Sequence, residues 1–289
     1  MIQIWRIKPT QNIKLEMDAS SLDALTRQLP EGYYSTFRTF AGCTRVLDLA
    51  AHLRRLYRPV STPELSASSL RRQLRALLGP YRPDEARVRA IMTKQGQVYI
   101  AIERLKELPR EVYESGVRVE TTELQRQHPR LKSTTFISKS DSRRKHIALE
   151  GIFEALLVKD EKILEGMTSN FFYIPRAEQS EERSLRREKS KRAQRGEILC
   201  TARDDILLGV TRKTVIGIAR GRGLEVKYEP LKRDQLAAVD ESFITSSSRG
   251  IVPVIKIDQI TIGEGSPGPI TKELMTVYEA YVMENAQRI

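Results

Sequence analysis

Two ionisable residues stand in settings that suit a single kind of chemistry. Lys132 lies in HPRLKSTTF, after a leucine and before two threonines and a phenylalanine. Partial burial in such a setting would lower the pKa of the lysine and free its amine to attack a carbonyl. Glu165 opens EGMTSNFF, 33 residues further along, where a carboxylate could keep a pyridine nitrogen protonated and make the ring an electron sink. Taken singly, a solvated lysine and an exposed turn glutamate are the ordinary interpretations.

Two further segments could bind an anion. GVTR, at Gly209–Arg212, opens a predicted helix whose first N–H groups favour negative charge, and Thr211 adds a hydroxyl. ITSSSRG, at Ile244–Gly250, places three serines in a row before an apolar run, which suits a tight loop that donates hydrogen bonds. In isolation these are a capped helix start and a polar turn. Together with Lys132 and Glu165, they suit a phosphorylated aromatic aldehyde.

Alternating strand and helix patterns would position these residues. Apolar spacing predicts strands in MIQIWRI, GYYSTFRTF and ESFITSSS, and helices in VLDLAAHLRRL, SSLRRQLRALLG, GVTRKTVIGIARGRG and PGPITKELMTVYEAYV. ARVRAIMTKQGQVYIAIERL and IFEALLVKDEKILEGMTSNFFYI each predict two joined strands. The polar segment Tyr113–Leu131 is interpreted as the crossing between two halves. The sequence therefore predicts an α+β or α/β protein with domains at 1–118 and 132–289 and a linker at 119–131.

Composition narrows the classes of function. The net charge of +12 suggests nucleic-acid binding, but Pro175–Arg195 alone holds eight basic and four acidic residues, with one leucine and no aromatic residue. That segment predicts a solvated surface insertion, with a specific anionic partner as the alternative. Two cysteines and three histidines give no disulfide framework or metal spacing. Lacking an export signal or an apolar run of about 18 residues, the chain is expected to be cytoplasmic, with no nucleic-acid or membrane partner.

The order and spacing of the motifs resemble the class IV aminotransferase family, the fold-type IV pyridoxal-phosphate enzymes, from about Gly32 to Tyr281. LEGMTSNFFYI, ILLGVTRKTV and ESFITSSSRGIVPVIKIDQITIGEGSPGPIT carry this resemblance. The family includes branched-chain aminotransferases, D-amino-acid aminotransferases and 4-amino-4-deoxychorismate lyases. The resemblance implies a small N-terminal α/β domain, a larger C-terminal barrel-like domain, pyridoxal 5'-phosphate as cofactor and commonly a homodimer.

The resemblance also implies roles for individual residues. Lys132 matches the lysine that forms the Schiff base with the cofactor and moves the α-proton, and Glu165 matches the glutamate on the pyridine nitrogen. Arg55 in HLRRL matches the arginine on the cofactor phosphate, and its neighbour Arg54 is the less suitable choice. The helix start and the serine loop complete the predicted cofactor contacts with Val210, Thr211, Ser247 and Ser248.

The substrate side departs from the pattern of branched-chain aminotransferases. Ile137 stands where they carry a tyrosine five residues after the lysine, and Ser35 stands where they carry a glutamate. The small hydroxyl residue Ser35 is closer to the pattern of the lyases. Their Tyr-x-Arg pair has Arg87 in place of the tyrosine and keeps Arg89. The resemblance implies transamination between a branched-chain-like amino acid and a 2-oxo acid, with elimination of pyruvate from aminodeoxychorismate as the alternative. The choice between these two reactions is expected to depend on the substrate pocket, whose candidate residues are the serine loop, Tyr34, Thr36, Arg87 and Arg89.

Overall fold

A computed structural model describes residues 1–176 and 197–289, and within these ranges the chain divides into two compact units. The first unit comprises Met1–Glu107, Arg126–Asp141 and Tyr281–Ile289. The second unit comprises Leu108–Gln125 and, apart from the residues that are not described, Ser142–Ala280.

The predicted segments contain helices and strands of the expected type, except that IFEALLVKDEKILEGMTSNFFYI holds three strands where two were predicted, and the structure adds shorter elements between the segments. The strands are β1 Gln3–Ile7, β2 Asn12–Leu15, β3 Gly32–Arg38, β4 Arg45–Val46, β5 Ala86–Thr93, β6 Val98–Arg104, β7 Val117–Thr122, β8 Glu154–Lys159, β9 Lys162–Gly166, β10 Asn170–Pro175, β11 Ile198–Cys200, β12 Glu225–Lys227, β13 Leu231–Lys232, β14 Val239–Ser246, β15 Gly250–Ile257, β16 Ile260–Thr261 and β17 Gln287–Arg288. The α-helices are α1 Leu22–Arg27, α2 Leu49–Tyr57, α3 Ala67–Leu78, α4 Arg110–Ser115, α5 Thr135–Lys139, α6 Asp141–Leu149, α7 Val210–Gly221 and α8 Pro269–Asn285.

The first unit is built on an antiparallel sheet in the order β2, β1, β6, β5, β3. Because side chains alternate across a strand, each face of this sheet carries its own core. On one face, Phe37 of β3 packs in a cluster with Leu53 of α2. On the other face, Tyr34 packs in a cluster with Leu25 of α1. Strand β3 therefore sends Tyr34 and Thr36 to one face and Ser35 to the opposite face.

The second unit contains a closed barrel. Strands β10, β14, β15, β7, β8 and β9 pair in that order, and β9 also pairs with β10, so six strands form a ring. Strand β7 runs parallel to both of its neighbours, and the remaining pairs in the ring are antiparallel. Closure removes the open edges of these strands, which would otherwise expose unpaired backbone groups. The prediction of a mixed helix and strand fold with a barrel-like C-terminal region is confirmed.

Two details of the predicted organisation differ from the structure. Residues 119–122 of the predicted linker at 119–131 belong to β7, because the two valines of that strand are buried in the barrel core. Lys132, predicted to begin the C-terminal domain, lies in the first unit. The cause is a backbone bond to β3, in which Tyr34 N–H donates to the Lys132 carbonyl at 2.9 Å.

The remaining sequence features concern the charged insertion, the cysteines, membrane spans and metal clusters. The predicted surface insertion at Pro175–Arg195 lies outside them except for its first two residues. Cys43 and Cys200 are buried free thiols. In residues 1–176 and 197–289, no helix has the length and apolar character needed to cross a bilayer. The same ranges hold no cluster of three His, Cys, Asp or Glu residues arranged for a metal ion.

Candidate active site

The predicted site residues form two sets, one in each unit. The first unit contains Lys132, Arg55, Tyr34, Thr36, Arg87 and Arg89. The second unit contains Glu165, Val210, Thr211, Ser247 and Ser248. Within each unit the structure brings most of the set into contact through side chains that the sequence pattern alone did not single out.

Lys132 lies beside an aromatic ring in the first unit. Its Nζ is 5.1 Å from the centroid of the Tyr34 ring, and the lysine is half-buried. The Cζ atom of Arg89 lies 4.7 Å from the same centroid, so two cations contact one buried tyrosine. Next to Lys132, Ser133 forms an isolated bridge with Tyr33 of β3, which fixes the backbone here. The predicted nucleophile is therefore half-buried beside an aromatic ring, which agrees with the predicted partial burial.

Arg55 is held by two polar residues on the other face of the sheet. Its Nη2 donates to Ser35 Oγ at 2.8 Å, and that oxygen lies 2.9 Å from His52 Nδ1. Arg55 follows His52 by one turn of α2, whereas Arg54 points to solvent. Burial lowers the pKa of Arg55 from 12.5 to about 10, which still leaves a cation at neutral pH. Its Nε is buried and has no hydrogen-bond partner among the described residues, so this guanidinium is oriented and has a donor left for an anion.

His52 is neutral in this arrangement. Its burial, reinforced by the positive charges of Arg55 and Lys132, holds its pKa well below the usual value of 6.5. Because Ser35 Oγ already accepts from Arg55, the serine hydrogen is free to be donated to His52 Nδ1. The ring proton is then assigned to Nε2. A neutral histidine therefore orients the serine that orients Arg55.

This neutral histidine predicts how stability depends on pH. Unfolded His52 binds a proton below about pH 6.5, whereas the buried ring stays neutral until the pH falls through its lower folded pKa. The contribution of the neutral His52 to the free energy of unfolding is thus fully present above about pH 6.5. It is lost on acidification, and the free energy of unfolding then falls with a slope approaching about 1.4 kcal/mol per pH unit. Urea unfolding at about pH 7 and about pH 5.5 should show a smaller pH dependence for His52→Asn than for the parent.

A matched variant separates this effect from general acid instability. His146 is exposed on α6, so His146→Asn should retain the pH dependence of the parent. If the His52→Asn variant loses as much stability on acidification as the parent does, the neutral state of the buried ring is not the cause.

The two substrate-side arginines have different surroundings. Arg89 is only 4% exposed, and its Nη1 donates to Asp23 at 2.6 Å while its Nε donates to Thr36 Oγ1 at 3.0 Å. Arg87 is half-buried and pairs with Glu103 at 3.2 Å. Arg89 therefore ties Thr36 and the Tyr34 ring together, whereas Arg87 belongs to a more solvated ion pair.

Glu165 is buried in the second unit. It is 1% exposed, and its Oε2 accepts from the Leu207 N–H at 3.0 Å and from Asn170 Nδ2 at 3.3 Å. Asn170 also donates to the Leu207 carbonyl at 2.8 Å, which locks the EGMTSN turn to the segment that precedes α7. A carboxylate placed in this way can serve a buried cationic nitrogen. The alternative interpretation as an exposed turn glutamate is wrong.

Polar donors gather at the start of α7. The helix begins after Gly209 without a side-chain cap, so its first N–H groups have no side-chain acceptor there. Thr211 Oγ1 lies 3.3 Å from Ser247 Oγ in the serine loop. Thr245 Oγ1 is buried and has no hydrogen-bond partner among the described residues. A β-carbon at Gly209 would lie 2.2 Å from Asn170 Oδ1, so the close approach of these segments requires glycine.

These observations test whether the residues fit a phosphorylated pyridine aldehyde. In the second unit, the uncapped start of α7 and two converging hydroxyls suit a phosphate, and the buried carboxylate of Glu165 suits a protonated ring nitrogen. In the first unit, the remaining donor of Arg55 suits an anion, and Lys132 offers an amine. Each unit therefore carries groups of the kinds that the cofactor requires.

Sequence reasoning missed three of the side chains that hold this set in place. Ser35 was considered only as a departure from a family pattern, and Asp23 and His52 were given no role. His52 could have been found from its position three residues before Arg55 in HLRRL, which places both on one face of a helix. Asp23 has no local signal, since its partner Arg89 is 66 residues away.

Comparison with known proteins adds an independent finding. The family model described as amino-transferase class IV matches residues 32–257. D-alanine aminotransferase of Bacillus licheniformis is 23% identical over 284 residues, which are 90% of this chain and 91% of that protein. A branched-chain amino acid aminotransferase from T.th., solved with pyridoxamine 5'-phosphate, superposes with a TM-score of 0.75 at 22% identity, over 98% of this chain and 94% of that one. The Thermoproteus uzoniensis branched-chain aminotransferase solved with norvaline has a TM-score of 0.70 at 22% identity, over 98% and 95%.

Proposed function

Because the chain belongs to the class IV aminotransferase family, and is accordingly a pyridoxal-phosphate-dependent aminotransferase, we propose that Lys132 is its catalytic lysine and that a branched-chain-like amino acid is its donor. The acceptor would be a 2-oxo acid. Several relatives named as branched-chain aminotransferases support this donor. The D-alanine aminotransferase that matches 90% of the chain supports D-alanine as the competing donor.

The residues of this chain would divide the work as follows. When bound, the cofactor supplies a carbonyl for attachment and a ring that accepts electrons. Lys132 would provide the amine that binds that carbonyl and then, once displaced by substrate, takes and returns the α-proton. Glu165 would hold the ring nitrogen protonated. The phosphate would be held by Arg55, Val210, Thr211 and Ser247, and the backbone amide of Ser248 would face the substrate side.

The single observation that carries the proposal is the burial of Glu165. A carboxylate that is 1% exposed, and oriented by Leu207 and Asn170, has lost most of its hydration. A carboxylate held in this way can accept a hydrogen bond from a protonated pyridine nitrogen and stabilise its positive charge. The turn around Glu165 would thus keep the cofactor ring in its electron-accepting form.

On the substrate side, Tyr34 has the most direct support. Its ring contacts Lys132 Nζ, and therefore lies next to the atom that would move the α-proton. Thr36 and Arg89 are linked to Tyr34 through the hydrogen bond and the cation–π contact of Arg89. Arg87 is retained as a candidate at the more exposed end of the same strand face. We propose that these four residues contact the amino acid.

A half-reaction tests the proposal. The purified protein is mixed with L-leucine alone, and the absorbance of the bound cofactor is followed. The proposal predicts that the absorbance is lost, because the amino group passes to the cofactor, and that 4-methyl-2-oxopentanoate restores it. D-alanine, with pyruvate as its oxo acid, serves as the comparison.

Each result distinguishes between alternatives. Faster conversion with D-alanine would overturn the branched-chain donor and retain transamination. Absence of conversion with every amino donor, together with release of pyruvate from aminodeoxychorismate, would favour the lyase. The small hydroxyl residue Ser35 is the feature that keeps this second outcome worth measuring.

Two further properties belong to the same proposal. We propose that the protein is a homodimer, as is common in its family, and that it acts in the cytoplasm. Light scattering of the purified protein would give its mass in solution, and a mass of one chain at working concentration would contradict the dimer.

Arg55→Ala is expected to weaken cofactor retention. A hydrogen bond to a charged group contributes about 1.5–3 kcal/mol, so the Kd for pyridoxal 5'-phosphate should rise about 10- to 100-fold. Equilibrium dialysis measures this directly. Arg54→Ala is the matched control because Arg54 is exposed on the same helix turn, and it should bind like the parent. Equal retention by the two variants would show that Arg55 does not hold the phosphate.

A further inference from the structure

An ion pair between a buried glutamate and a half-buried arginine lies beside the second set of site residues and has no role so far. Glu154 opens β8, is 2% exposed, and its Oε2 lies 3.0 Å from Arg249 Nη2. The same oxygen accepts from Thr168 Oγ1 at 2.5 Å and from Ser169 Oγ at 3.3 Å. One carboxylate oxygen therefore gathers donors from two segments that are distant in sequence.

Arg249 completes a closed ring of contacts. Its Nη2 donates to Thr168 Oγ1 at 2.6 Å, so Thr168 accepts from the arginine and donates to Glu154. Its Nε donates to Ser246 Oγ at 3.1 Å. Its backbone carbonyl accepts from Tyr113 OH at 3.0 Å, and its guanidinium lies over the Phe153 ring. The arginine is thus fixed at its backbone, at its Nε and at its terminal nitrogen.

The ring joins the two turns that carry cofactor contacts in this unit. Thr168 and Ser169 belong to the turn between Glu165 and Asn170, where Gly166 N–H donates to the Ser169 carbonyl at 2.9 Å. Arg249 ends the serine turn that contains Ser247, and its N–H donates to the Ser246 carbonyl at 3.4 Å. The position of one turn therefore determines the position of the other.

We propose that Glu154 and Arg249 are a positioning pair that sets the serine turn at the distance at which Ser247 and Thr211 hold the cofactor phosphate. This inference rests on the proposed function and adds to it two residues that act through the position of the serine turn. Ser247 depends on the pair because it lies between Ser246 and Arg249 in one tight turn, with its hydroxyl 3.3 Å from Thr211.

A contribution to overall stability explains the Glu154–Arg249 pair less well than a positioning role does. Buried ion pairs are often no better for stability than apolar side chains of similar size. The contacts made here are specific in direction, because the planar guanidinium addresses Ser246 through Nε and both Glu154 and Thr168 through Nη2. Such geometry is suited to fixing a turn.

The test compares two ligands that differ only in the phosphate. Cofactor is removed from the purified full-length protein, and equilibrium dialysis gives the Kd for pyridoxal 5'-phosphate and for pyridoxal. The parent should prefer the phosphorylated form. The preference is the Kd for pyridoxal divided by the Kd for pyridoxal 5'-phosphate. In Arg249→Met this ratio should fall roughly tenfold, while the Kd for pyridoxal itself changes less than about twofold. Glu154→Gln should lower the ratio in the same direction.

Two more variants protect the test against misfolding. Thr168→Val opens the ring but leaves the ion pair, and should lower the ratio by about threefold. The double variant Glu154→Gln/Arg249→Met carries no unpaired buried charge, and should be no worse than Arg249→Met alone, because the two residues act as one unit. Arg233→Met is the control, since it removes a half-buried arginine of the same unit, which pairs with the exposed Glu123 at 3.0 Å.

The outcomes distinguish failure of the proposed function from failure of the positioning role alone. If the parent binds no pyridoxal 5'-phosphate, the proposed function fails and this inference fails with it. If the parent prefers the phosphorylated ligand and the variants keep that preference, only the positioning role is overturned. Equal weakening of both ligands would also overturn it, because that result indicates a general structural defect.

Discussion

Replacement of Lys132 by alanine is expected to abolish the covalent link to the cofactor and to lower the transamination rate by at least about 10³-fold, since the same amine attaches the cofactor and moves the α-proton. Pyridoxal 5'-phosphate should still bind without a covalent link, because Arg55, Thr211 and Ser247 remain. The absorbance of the protein after gel filtration and the rate of the half-reaction measure the two effects separately.

Lys139 provides the matched control for this prediction. It lies seven residues further along, is exposed on α5, and would be an equally good nucleophile if proximity in sequence were sufficient. Lys139→Ala should retain both the covalent link and the rate of the parent. A Lys132→Ala variant that still forms the link would place the reactive amine elsewhere.

The second large effect is expected at Glu165. In Glu165→Gln the side chain can still accept from the Leu207 N–H, but it no longer carries the charge that would keep the ring nitrogen protonated. Loss of such an electrostatic contribution should lower the transamination rate by about 10²- to 10³-fold. Covalent attachment through Lys132 should survive, so the variant would be loaded with cofactor and nearly inactive.

Glu165→Ala separates this electrostatic role from a structural one. It removes the acceptor as well as the charge, and leaves the buried Leu207 N–H without its side-chain partner. The free energy of unfolding should fall by about 1–3 kcal/mol, which Glu165→Gln should avoid. If the glutamine variant transaminates at the parent rate, the carboxylate does not act on the cofactor ring.

Local pattern predicted the longer helices and strands correctly. Strand β3 and helices α2 and α7 were found because their apolar residues recur at the spacing of the element they form. Strand β7 was missed because VRVETT is short and lies in a polar stretch, and its burial comes from partners far away in sequence. Closure of the barrel was implied only by a family resemblance, since the pairing of β9 with β10 that completes the ring has no signal in composition or periodicity.

In the candidate site, too, the sequence identified residues within motifs but not their hydrogen-bond partners from distant elements. Motif order singled out Lys132, Glu165 and Arg55, and their burial agrees with the chemistry proposed for them. The groups that orient them come from other elements, such as Asp23 on Arg89. Hydrogen bonds of this kind depend on how strands and helices pack, so a single sequence could not reveal them.

Reduction of the purified protein with borohydride, followed by peptide mapping, tests the central claim most directly. Reduction makes the bond between a lysine amine and the cofactor permanent, and the modified peptide then identifies that lysine. The account predicts one modified peptide, containing Lys132 in HPRLKSTTF. A modified peptide that contains a different lysine, or no adduct in a protein that holds the cofactor, would contradict it.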